Sequence, residues 1–147
     1  MSYSTWHIYG YGVETSEINK EEVTVERIEK LLSLAPEFQK GIHQYFEECE
    51  INEPEIDDYF DFDQDYHHEI AYLLKEVIEE DANIFLSTCD SCNGEIFLLY
   101  PPSYPWEMRG EERNLTEDKV KELLTKYLKI ICDTIPEIDY CSCENGG

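Results

Sequence analysis

Between Lys40 and Arg109 the chain carries eighteen acidic residues and a single basic one, Lys75. This imbalance constrains folding more than any other feature, because carboxylates without partners repel one another in a compact state. Its densest part holds ten acids and no base: Glu47, Glu48, Glu50, Glu53, Glu55, Asp57, Asp58, Asp61, Asp63 and Asp65. A packed core is expected all the same. Eleven Tyr, six Phe and two Trp accompany the formal charge of -23, and disordered acidic tails lack such aromatics. A length of 147 residues predicts one domain, 1-147. No apolar run approaches the ~20 residues of a membrane span, and Met1-Ser2-Tyr3-Ser4 does not read as the start of a secretory signal. A cytoplasmic protein is therefore expected, and a basic nucleic-acid binder is excluded by charge.

The segment Tyr3 to Gly12 alternates aromatic and β-branched residues and predicts a strand. Val25, Ile28, Leu31 and Leu32 predict a helix starting near Thr24, and Phe38, Ile42, Tyr45, Phe46 and Cys49 predict a second one after Pro36. The acidic connection, 50-64, carries Ile56, Tyr59, Phe60 and Phe62, which can tack it to the body as a short helical turn. Ile70, Leu73, Leu74, Val77 and Ile78 predict a third helix with Asp65 as its N-cap. Ile84–Cys89 and Glu95–Tyr100 flank Asn93-Gly94, a hairpin signature. Thr116 caps a last helix, whose Lys119, Lys121, Lys126 and Lys129 are the only basic cluster, and Ile138–Cys143 predicts a final strand. The expected fold is α+β in the order β-α-α-α-β-β-α-β, with a mostly antiparallel three- or four-stranded sheet packed on helices.

Three constellations invite chemistry. Cys89-x-x-Cys92 before Asn93-Gly94 resembles a zinc knuckle, and Cys141 and Cys143 offer two further thiolates, although at a spacing unlike a zinc ribbon's. The competing reading is reduced cysteines with no disulfide, Cys49 and Cys132 lying in the core. Asp61, Asp63 and Asp65 open a D-x-D-x-D pattern, but Tyr66 and Tyr72 stand where a calcium loop needs Gly and Glu. His67 and His68 are adjacent and point about 100° apart on a helix, so they do not share a metal. No nucleophile elbow or phosphate loop is present, and a non-enzymatic protein without a cofactor is expected.

The opening Trp6-His7-Ile8-Tyr9-Gly10-Tyr11-Gly12, the loop Tyr100-Pro101-Pro102-Ser103-Tyr104-Pro105-Trp106-Glu107 and the end Glu144-Asn145-Gly146-Gly147 resemble small acidic proteins of phages and mobile elements in gut Firmicutes. That resemblance transfers no functional residue. It implies a context in which inhibitors of host defence occur, anti-CRISPR proteins among them.

Charge and context together predict an acidic mimic of nucleic acid that occupies the basic groove of a DNA- or RNA-binding protein such as a CRISPR effector. The expected face is the ten acids above with Glu69, Tyr59 and Tyr66, extended onto Glu76, Glu79, Glu80 and Asp81. Tyr59 and Tyr66 are expected at its surface, Phe46 and Phe60 in the core. The alternatives are a module stabilised by zinc on Cys89, Cys92, Cys141 and Cys143, and a divalent-metal hydrolase using Asp61, Asp63, Asp65 and His68.

Overall fold

The computed structural model describes residues 5–61, 69–90, 95–100 and 116–146. Strand β1 (Thr5–Glu14) leads through a short 3-10 turn into helices α1 (Val25–Leu32), α2 (Pro36–Glu48), α3 (Ile56–Asp61) and α4 (Glu69–Ala82). Strands β2 (Ser87–Asp90) and β3 (Ile96–Tyr100), helix α5 (Glu117–Ile131) and strand β4 (Ile138–Gly146) follow. The α+β class and the predicted element order are as expected, with the helical turn of the acidic connection forming α3.

The caps show why the helices begin where they do. Thr24 accepts from the Arg27 N–H at 3.2 Å, and Thr116 accepts from the Lys119 N–H at 3.3 Å, satisfying donors that the first turns leave free. Helix α2 has no capping side chain of its own. Its Glu37 and Phe38 N–H groups instead donate to the Glu80 carboxylate of α4, both at 3.0 Å. Helix α4 ends at Asn83, whose φ of 56° is a left-handed stop that Asn tolerates better than most residues.

The sheet is antiparallel in the order β2-β3-β1-β4, so the N-terminal strand lies between elements far away in sequence. Gly12 makes the β1–β3 pairing possible. A Cβ there would lie 2.0 Å from the Leu98 carbonyl oxygen and 2.9 Å from Leu99 Cα. Val13, Leu98 and Ile138 belong to the main core with the apolar stripes of α1, α4 and α5. The opposite face of the sheet is also apolar, with Cys89, Phe97 and Leu99 buried and Cys141 packed against them. Burial on both faces was not expected.

Candidate interaction face

Two groups of the described acids bear on this face. The first is engaged in holding the fold together. Glu29 of α1 accepts from the Tyr59 hydroxyl at 2.6 Å, from Gln39 Nε2 at 3.1 Å, and from His43 Nε2 at 2.8 and 3.0 Å. An ionised carboxylate only accepts, so His43 carries its proton on Nε2. Burial pushes the Glu29 carboxyl up, but the bonds from Tyr59, His43 and Gln39 outweigh it and hold the group below its ordinary range. Burial, and then the same contact with Glu29, push the Tyr59 hydroxyl upward. One part-buried network thus ties α1, α2 and α3 together. A second pair, Tyr127 to Asp81 at 2.6 Å, ties α5 to α4.

Other acids are engaged at the surface. Glu22 accepts from the Asp133 and Thr134 N–H groups at 2.9 and 2.8 Å. The Thr134 bond leads the causes that lower its carboxyl pKa. Asp58 reaches back to the Glu55 N–H at 2.7 Å, half of a capping box at the start of α3. Glu69 pairs with Lys20 at 3.4 Å, and Lys75 lies between Glu76 and Glu79 at 3.5 and 3.6 Å.

The second group is Glu47, Glu48, Glu50, Glu53, Glu55 and Asp57, all exposed and none in an ion pair among the described residues, with Glu48 accepting only from its helix neighbour Gln44 at 3.4 Å; Glu17, Glu21, Glu26, Glu37, Asp118, Glu122 and Glu137 are exposed and outside these ion pairs as well but are spread over other elements. Its placement opposes stability. Glu47 and Glu48 occupy the last turn of α2, which contains no base, at the end of the helix dipole that repels anions. Glu50 follows with φ 58°, closing the helix through Ile51 N–H to Phe46 O at 2.8 Å and Glu50 N–H to Glu47 O at 3.2 Å. That is a Schellman closure with Glu at the position where Gly carries no Cβ penalty. Alongside lies an open groove of about 690 Å³, lined by Phe46, Ile51 and Pro54 with Glu47 and Glu50.

The expected face is therefore narrower than predicted. Its extension onto Glu69, Glu76, Glu79, Glu80 and Asp81 is corrected, because each of these makes an ion pair or a hydrogen bond inside the chain. Tyr59 is corrected too. It is 1% exposed, with its ring edge-on to Phe46 at 4.9 Å, so it presents nothing to a partner. Phe46 is buried and Phe60 packs against the core, as expected. Asp63, Asp65, Tyr66 and His68 lie outside the described residues, as does the Asp61 side chain. The N-cap assigned to Asp65 lies there as well.

Among the described residues no group of three or more His, Cys, Asp or Glu is placed to hold a metal. Cys89 is disulfide-bonded, which corrects the expectation of reduced cysteines there and leaves the zinc reading to the reduced protein. Cys141 is free, its thiol pushed up by burial and by Asp139, and it donates to Gly12 O at 3.7 Å and Asp139 O at 3.4 Å. The positions of Cys92 and of the Cys143 side chain lie outside the described residues. Cys132 is buried as expected, whereas Cys49, expected in the core, is exposed at the end of α2. No described helix is long and apolar enough to cross a membrane. Comparison with family models, curated proteins and solved structures finds no match to this chain.

Proposed function

We propose that this protein is a non-enzymatic inhibitor that imitates nucleic acid, its Glu47–Asp57 edge occupying the basic groove of a DNA- or RNA-binding protein such as a CRISPR effector nuclease. One observation carries the reading: the stretch Glu47–Asp57 holds six exposed acids, Glu47, Glu48, Glu50, Glu53, Glu55 and Asp57, contains no basic residue, and has none of the six in an ion pair among the described residues. A surface serving only solubility does so with charges mixed in sign. Here two carboxylates sit at the wrong end of a helix dipole, and a third occupies the left-handed position of the helix closure where glycine carries no Cβ penalty. The part-buried network through Glu29 ties α1, α2 and α3 together behind this edge, and an edge already held in place spares a binding partner the cost of ordering it.

The test is competition. A panel of purified CRISPR effector nucleases is assayed for binding and for cleavage in the presence of the wild-type protein. The same is done with a variant carrying Glu47→Lys, Glu53→Lys, Glu55→Lys and Asp57→Lys. A control of equal net charge carries Glu21→Lys, Glu26→Lys, Asp118→Lys and Glu122→Lys. The reading predicts binding that added nucleic acid displaces and that only the first variant abolishes. Equal loss in both variants would reduce the effect to net charge and refute the assigned edge.

A further inference from the structure

A different surface carries a separate inference, at the junction of α5 and β4. Tyr140 is 66% exposed and is the one large hydrophobic exposed among the described residues. Its ring is nevertheless held in place, edge-on to Tyr11 at 5.3 Å, with the hydroxyl donating to Glu117 in the first turn of α5. An exposed ring that is already fixed suits an interface anchor, because little of its freedom is left to lose on binding. A phenol that donates to a carboxylate is also drawn toward phenolate, which makes the face of its ring more negative. That face is the part of an aromatic side chain to which a cation is attracted.

The surroundings have the matching sign. Asp139, next in the chain, accepts from the Tyr140 N–H at 2.8 Å. Burial first, and then Asp139, Glu117 and Asp118, push the Tyr11 hydroxyl up, so all three carboxylates lie within electrostatic reach of the ring pair. Tyr11 and Asp139 also line a groove of about 490 Å³ between α5 and the start of β4, with Ile135 and Pro136 as apolar wall and Glu137 beside them. Lys121 is the one base lining it among the described residues. None of Glu117, Asp118, Glu137 and Asp139 is in an ion pair among the described residues, so four carboxylates stand against one lysine. Acids alone would favour any cation. An exposed ring among them favours the planar guanidinium, which stacks on an aromatic face while its N–H groups reach carboxylates.

We propose that this junction docks an arginine-bearing segment of a partner protein, the guanidinium lying over the Tyr140 ring within reach of Asp139 and the adjoining residues following the groove along Ile135 and Pro136. The site shares no residue with the Glu47–Asp57 edge and does not rest on the function proposed for it.

Titration of the full chain with an acetylated, amidated Gly-Arg-Gly-Arg-Gly peptide, followed by NMR amide shifts, tests this beside the same peptide with lysine in place of arginine. Saturable shifts are expected at Tyr140 and along 135–139, weakening as salt rises. The arginine peptide binds at least ~3-fold more tightly than the lysine one. Tyr140→Leu keeps the bulk without the aromatic face and weakens the arginine peptide at least ~5-fold at unchanged circular dichroism, whereas Tyr140→Phe stays within ~3-fold of the wild type. The Glu137→Gln, Asp139→Asn double variant weakens both peptides. Shifts confined to the Glu47–Asp57 edge, or none that saturate, overturn the proposal. So do equal affinity for the two peptides, and affinity unchanged by Tyr140→Leu or by the double variant.

Discussion

Replacing Glu50 by Gly should make this protein more stable. Glu50 closes α2 with φ 58°, where the Cβ of an L-residue crowds the following carbonyl at a cost of about 1–2 kcal/mol. Glycine removes that cost but has more freedom to lose on folding, which returns about 0.5–1 kcal/mol. The net expectation is a gain of about 0.5–1 kcal/mol, a rise in melting temperature of about 2 °C for a chain of this length. One charge of a strongly negative surface is removed as well, so Glu50→Gln is needed beside it, since Gln loses the charge and keeps the Cβ. Urea unfolding of the three proteins gives the answer through the midpoint at unchanged slope. Glycine should exceed glutamine by the strain alone, while both lose affinity for a basic partner. Equal stability of the Gly and Gln variants would refute the argument that backbone strain is tolerated here for the sake of a carboxylate.

Tyr59→Phe should cost about 1.5–3 kcal/mol in urea unfolding, because it removes a donor from the ionised, half-buried Glu29, and a loss under ~0.5 kcal/mol would contradict the network's role. Gly12→Ala should cost about 2–3 kcal/mol by the same measurement, since its Cβ meets backbone of β3 and not a flexible side chain, and an unchanged midpoint would show that β1 and β3 can part freely. Stability should also fall at both ends of a pH series. The lowered Glu29 carboxyl contributes stability that is present above its ordinary value of 4.5 and lost as pH falls through its folded value. The raised Tyr59 and Tyr127 hydroxyls contribute stability that is present below 10.0 and lost as pH rises through their folded values. Thermal melts should show the alkaline loss shrink in the Tyr59→Phe, Tyr127→Phe double variant, and an identical loss there would contradict the assignment.

The helices were legible because apolar residues at a period of 3.6 must share a buried face, as Ile28, Leu31 and Leu32 or Val120, Leu124 and Leu128 do. The strands followed from alternation and short apolar runs, with the Asn93-Gly94 turn lying outside the described residues, but their order did not follow, since nothing local brings β1 between β3 and β4. The candidate face was legible as a charge run and misjudged in its membership. Sequence shows how many carboxylates there are and not which of them find donors. Glu29 meets Tyr59 thirty residues away, and Glu80 caps a helix that begins more than forty residues earlier. Tyr59 did carry a signal, for Ile56, Tyr59 and Phe60 stand at i, i+3 and i+4, the spacing of a buried stripe. Cys49 shows the converse error. Helical spacing was extended to a residue that lies just beyond the last turn of α2, where the face no longer points inward.

The central claim is that the unpaired edge from Glu47 to Asp57 is built to meet a basic groove. Binding of a purified CRISPR effector nuclease to immobilised wild-type protein, measured across a salt series with and without its nucleic acid, tests it most directly. The account predicts affinity that falls at least ~10-fold between low and high salt, exclusion by nucleic acid, and loss on reversing Glu47, Glu53, Glu55 and Asp57 but not the control acids. Binding that survives that reversal, or that proceeds alongside bound nucleic acid, would contradict it.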